Sequence, residues 1–257
     1  MMNTTPYLKV LVITGSLAIF SLGNLLAAPI ISINLTTDIA NALESTAQAG
    51  APAVISDQWN NITVTNAGDG NATGSGTNLI DNSGAATTLD FAASKLTGGN
   101  TYAGTSSPYG WTGDQLTMHT GRLSYDIKMN VTEIPYAQYD IYVYLSAGAN
   151  GGAVAANISL TGDDLDSSHF YYANYDGGYP ANNYVQVTST NSAAPSSGNY
   201  VLFTGNTGTS FQLNYDSTAT IFDSYVAGIQ IVAIPEPSSL VLISVGLLTL
   251  VSRRYIK

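Results

Sequence analysis

Apolar and polar residues alternate along much of this chain. Tyr125, Ile127, Met129 and Val131 fall on one side of a period-two pattern, and Ser124, Asp126, Lys128 and Asn130 on the other. Ile141, Val143 and Leu145 alternate with Tyr142 and Tyr144. Such alternation marks half-buried strands. Further strand-like runs cover residues 30–35, 87–92, 154–160, 184–188, 200–204, 211–215 and 226–233. Turn signals separate them: Asp81-Asn82-Ser83-Gly84, Thr97-Gly98-Gly99-Asn100, Ala149-Asn150-Gly151-Gly152 and Asn206-Thr207-Gly208. Away from the termini, only residues 36–48, with Leu43 and several alanines, suggest a short helix. Many short strands with this punctuation predict an all-β fold, a single β-sandwich of jelly-roll-like form over residues 29–233.

Both ends break the pattern. At the start, Lys9 precedes an apolar stretch over residues 10–22, then Gly23 and the Ala27-Ala28 pair. Residues 1–28 read as the helix of a secretory signal peptide, addressed to the Sec export machinery, with the mature chain beginning between Asn24 and Ile30. At the other end Pro235-Glu236-Pro237 leads into a short hydrophobic helix over residues 238–251, followed by Arg253, Arg254 and Lys257. Fourteen helical residues reach only about 21 Å, against a hydrocarbon core of roughly 30 Å. The segment is short for a permanent anchor and suits a transient one, with its cationic end held on the cytoplasmic side.

Pro-Glu-Pro, a short apolar span and a terminal Arg cluster, in that order, resemble the PEP-CTERM sorting signal of Gram-negative bacteria, here residues 234–257. The resemblance implies recognition through Pro235, Glu236, Pro237, Arg253 and Arg254 by an exosortase-like processing enzyme. It also implies transient residence in the inner membrane through the C-terminal segment, then the outer surface or the extracellular space. Within the middle region, Ile134-Pro135-Tyr136 leading into residues 139–144, with a closing run at 228–232, resembles galactose-binding-like jelly rolls. In those folds a central strand and the last strand pair in the core.

Charge narrows the partners. Residues 29–237 carry seventeen acidic side chains against three basic ones, Lys95, Arg122 and Lys128, a net of −14. Nucleic acid requires a cationic footprint, so it is excluded as a partner. Cysteine is absent, so packing and hydrogen bonds carry the stability without disulfides.

The chemistry is sparse. His119 and His169 are the only histidines, far apart, and no Gly-x-Ser-x-Gly elbow accompanies them. No catalytic residue is assigned, and the expectation is a protein that is not an enzyme and needs no cofactor. Asp163, Asp164 and Asp166 form one candidate Ca²⁺ loop, set against the plainer reading of a solvated acidic turn. Trp111, Tyr171, Tyr172, Tyr175, Tyr179 and Asn182 form a candidate carbohydrate-binding surface, since rings stack on sugar faces and amides take hydroxyls. The plainer reading is that tyrosines fill sandwich rims. Six Asn-x-Ser/Thr triplets begin at Asn3, Asn34, Asn61, Asn71, Asn130 and Asn157. The favoured expectation is an exported surface or extracellular-matrix protein, structural or adhesive, that holds extracellular polysaccharide. The alternative is a secreted carbohydrate-active enzyme using Asp carboxylates.

Overall fold

The structure, a computed structural model, describes residues 28–37, 42–66, 71–96, 101–105, 111–147, 155–173, 183–217 and 224–235. In chain order the strands begin with β1 (Ile30–Thr36), β2 (Asn60–Thr63), β3 (Thr65–Asn66), β4 (Ala72–Gly76), β5 (Asp90–Lys95) and β6 (Thr101–Thr105). A helix, α1 (Gly113–Thr120), precedes β7 (Gly121–Tyr125), β8 (Ile127–Thr132), β9 (Tyr139–Ala147) and β10 (Ala155–Thr161). The last four are β11 (His169–Ala173), β12 (Tyr200–Asn206), β13 (Phe211–Ser217) and β14 (Ser224–Ala233).

These strands form the two sheets of a β-sandwich. The first has the order β12-β9-β14-β1-β2, with β7 also joining β14 and β6 joining β7. The second has the order β11-β10-β13-β8-β5-β4-β3. Ile31, Ile33, Leu35, Ile141, Val143, Ile229 and Ile231 of the first sheet pack onto Phe91, Met129, Val131, Ile158 and Leu213 of the second. Each of these side chains is nearly or fully buried, and burying one contributes about 1.5–3 kcal/mol relative to leaving it in water.

The alternation of β9 and the closing run of β14 do meet: Ile141 faces Ile231 and Val143 faces Ile229 in an antiparallel ladder. The predicted turn at Asp81 also forms. Its Oδ1 accepts from the Ser83 amide at 2.8 Å and the Ser83 hydroxyl at 2.6 Å. Gly84 supplies the φ of +80° that the turn requires.

Three expectations change. Tyr125 does not continue the face of Ile127, Met129 and Val131. It ends β7 in the first sheet with φ +72°, and the chain crosses to the second sheet after it, which resets the alternation. Residues 184–188 make a single bridge, Gln186 to Tyr200, rather than a strand. The helix expected in residues 36–48 is not formed by its described residues: β1 runs to Thr36, and 42–48 are turns and irregular chain.

The first sheet is covered on its outer face too. A second cluster comprising Leu43, Ala47, Ala49, Val54, Trp59, Met118 and Tyr144 brings residues 43–59 and α1 down onto β9, β14 and β1. Buried polar groups lock this layer. Gln230 donates its Nε2 to Ser32 Oγ and to Val54 O, each at 2.9 Å, and its Oε1 accepts from the Tyr144 hydroxyl. Asn34 and Asn61 join the parallel pair β1–β2, Asn34 Nδ2 donating to Asn61 Oδ1 at 2.9 Å.

Candidate functional site

The aromatic residues singled out in the sequence divide between two places. Trp111 is 6% exposed, so its indole is not a surface platform. It lies in the outer layer of the first sheet, stacked on His119 and tilted against Tyr184 at 4.9 Å. Tyr171 and Tyr172 sit on β11 in the second sheet, where Tyr172 is fully buried and Tyr171 half-buried. Tyr175, Tyr179 and Asn182 lie outside the described residues. Among the described residues, Trp111 and the pair Tyr171 and Tyr172 therefore do not share one surface.

The layer around Trp111 is closed and mostly apolar. Tyr184 donates its hydroxyl to Gln115 Oε1, and Asp114 Oδ2 accepts from the Gln48 amide at 2.8 Å, so α1 grips the segment around Gln48. His119 is fully buried, and neither ring nitrogen has a hydrogen-bond partner among the described residues. Burial pushes its pKa down to about 3, so the imidazole is neutral at ordinary pH. A lone histidine gives no sign of this burial in the sequence.

The acidic loop does not converge on a point. Asp163 and Asp164 are exposed. Asp166 turns inward, its Oδ1 accepting from the Ser168 amide at 2.9 Å and its Oδ2 from the Thr204 amide at 3.2 Å. Burial raises the Asp166 carboxyl, but these hydrogen bonds outweigh it and hold the pKa below the usual aspartate value. Among the described residues no group of three or more His, Cys, Asp or Glu side chains is placed to hold a metal ion.

The outer face of the second sheet carries polar side chains in register. One row runs His169, Ser159, Asn214, Lys128 and Ser94 across β11, β10, β13, β8 and β5. The next runs Thr161, Gln212, Asn130, Ala92 and Ser75 across β10, β13, β8, β5 and β4. At roughly 4.8 Å between strands, each row is about 19 Å wide. Asn214 donates to Thr161 Oγ1 at 2.8 Å and Gln212 donates to Asn214 Oδ1 at 2.7 Å, which orients the amides. At the β4 end, a shallow groove of about 490 Å³ is lined by Thr63, Thr65, Thr73 and Ser75 together with Gly74, Ala92 and Ala93.

The remaining site is the end of the chain. β14 lies in the middle of the first sheet, paired with β9 on one side and β1 on the other. Its last residue, Ala233, faces Tyr139, and Pro235 follows as an exposed residue. Residues 233–254 match the PEP-CTERM protein-sorting motif. No curated protein and no solved structure matches the chain.

The sorting motif thus starts on the last residue of a central strand, with no linker between fold and signal. It marks an exported protein. Of its predicted recognition residues, Pro235 is the one described here, and Glu236, Pro237, Arg253 and Arg254 lie outside the described residues. Among the described residues no helix is long and apolar enough to cross a membrane, and the apolar run 238–251 is not among them.

Proposed function

We propose that this protein is an exported, non-catalytic component of the cell surface or extracellular matrix. An exosortase-like enzyme processes it at the C-terminal sorting motif. The observation that carries this reading is the match at residues 233–254, placed where the folded domain ends. Replacing Pro235-Glu236-Pro237 with alanines is expected to leave a longer, membrane-retained precursor. Normal maturation and release of that variant would overturn recognition at the motif.

The two polar rows on the second sheet support a polysaccharide-holding role. Amides and hydroxyls in register, those of Thr161, Gln212 and Asn214 oriented by hydrogen bonds, suit the repeated hydroxyls of a glycan, and Tyr171 at the β11 edge adds an aromatic ring. Retention of the mature protein on a panel of polysaccharides, weakened by Asn130→Ala and Gln212→Ala together, is the expected result. Absence of retention on every member would leave a purely structural role. Turnover of any glycan, abolished by a single Asp→Asn change, would overturn the non-catalytic reading.

A further inference from the structure

The layer made by residues 43–59 and α1 covers only part of the outer face of the first sheet. Tyr142 on β9 and Tyr200 on β12 lie at its rim, packed against it but half-buried. Alternation puts both on that outer face, because the next residues along, Val143 and Val201, belong to the core between the sheets. Tyr200 stands opposite Tyr144, and Tyr142 opposite Leu202, so the two rings are diagonal neighbours on adjacent strands. Their centres lie 5.9 Å apart and their planes differ by 20°. Tyr184 bounds the pair on one side, edge-on to Tyr200 at 6.2 Å.

Polar groups stand beside these rings with hydrogen-bonding capacity left over. Tyr139, Tyr144 and Tyr225 use their hydroxyls inside the fold, donating to Gly208 O, Gln230 Oε1 and His119 O. The hydroxyls of Tyr142 and Tyr200 bond no described residue. Asp140 lies two residues from Tyr142 on the same face of β9. Its Oδ1 accepts from the Gly205 amide at 2.9 Å, and its other oxygen bonds no described residue. Burial first, and then the neighbouring Asp140 and Tyr200, raise the Tyr142 pKa above 10.0, so its hydroxyl keeps a proton to donate.

We infer that Tyr142 and Tyr200, with Asp140, form a binding platform for a neutral polysaccharide on the face of the sandwich opposite the polar rows. This rests on the reading that the protein holds polysaccharide, and gives it a second contact face. Near-parallel rings stack on the C–H faces of sugar rings, while the phenol groups and the free Asp140 oxygen exchange hydrogen bonds with sugar hydroxyls. Charge selects the polymer. Asp140, in a region of seventeen acidic side chains against three basic ones, repels uronate and sulfate groups. An apolar side chain of a protein partner would gain from the rings but would strip water from the Asp140 carboxylate without supplying a donor, which is costly. Neutral sugars meet both demands.

The test is affinity electrophoresis of the full chain, in nonionic detergent, through native gels that hold hydroxyethylcellulose or galactomannan, both neutral, or alginate, a polyanion. The neutral gels should retard the protein and alginate should not. Tyr142→Leu with Tyr200→Leu keeps an apolar cover on the sheet but removes the rings, and should weaken retardation about tenfold or more. Tyr200→Leu alone, on the edge strand β12, disturbs the fold less and should act in the same direction. Tyr142→Phe with Tyr200→Phe keeps the rings and should retain most of the binding, with thermal unfolding confirming that each variant is folded. Equal retardation of wild type and the Leu variants would overturn the platform, as would alginate retarding the protein as strongly as the neutral gels. The Asn130→Ala and Gln212→Ala pair on the other sheet keeps the two ideas apart. Retardation lost only in that pair removes the platform and leaves the polar rows; no retardation in any gel removes the polysaccharide reading itself.

Discussion

Trp111 lays its indole flat on the imidazole of His119, with ring centres 4.3 Å apart and planes within 10°. The pair closes the outer layer of the first sheet, and Tyr144 meets the same imidazole edge-on at 6.3 Å. The stack therefore buries a titratable ring with neither nitrogen hydrogen-bonded to a described residue. That arrangement ties stability to pH.

In the unfolded chain His119 takes up a proton near 6.5, whereas burial lowers the folded value to about 3. Between those values the unfolded state binds more protons. Stability from this site is thus whole above about 6.5 and is lost as pH falls towards about 3, by up to about 1.4 kcal/mol per pH unit. His119→Phe keeps a ring against Trp111 and removes the proton site. Its stability should fall less than that of wild type between about pH 7.5 and about pH 4, measured by urea unfolding. Parallel losses would show that His119 is solvated.

Tyr144→Phe should cost about 3 kcal/mol. Its hydroxyl donates to Gln230 Oε1 and accepts from the Ala51 amide at 2.9 Å, so the change leaves two buried groups unpaired. Denaturant midpoints check this, and a loss under about 0.5 kcal/mol would mean that water takes the place of the hydroxyl.

Gly121→Ala should prevent stable folding or cost at least about 3 kcal/mol. A Cβ there would lie 1.9 Å from the backbone oxygen of Leu35, and backbone on β1 cannot yield as a flexible side chain can. Soluble yield and thermal unfolding give the readout. A near-neutral result would mean that β7 sits further from β1.

Asp166→Ala should destabilise by about 1–2 kcal/mol, because its carboxylate ties the Ser168 and Thr204 amides together. A calcium chelator should leave the melting temperature of the wild type unchanged. A rise of several degrees on adding Ca²⁺, lost in Asp163→Asn, would restore the acidic loop as a cation site.

How far the fold could be read in advance depended on side-chain type. β1, β9, β13 and β14 carry apolar residues at every second position over most of their length, so burial of one face was visible locally. β4 reads Ala-Thr-Gly-Ser-Gly and β6 Thr-Tyr-Ala-Gly-Thr. Such segments have few side chains to alternate and become strands because β5 and β7 offer them hydrogen-bonding edges. Trp111 and Tyr172 of the candidate carbohydrate surface are buried for a related reason. Aromatic composition reveals hydrophobic area but not the side of a sheet it covers; α1 carries His119, and the chain just ahead of it carries Trp111, into the outer layer instead of leaving them in solvent.

The sequence by itself determined the export address at the C-terminus and the all-β class, because a short apolar run, a cationic end and period-two alternation are properties of neighbouring residues. Tertiary structure alone decided that Ser32 meets Gln230 across 198 residues, that the tail leaves from a central strand, and that His119 loses its water. Those outcomes depend on which distant strands pair and which loop folds over them. Pairing energy of that kind is shared between segments, and neither segment records it on its own.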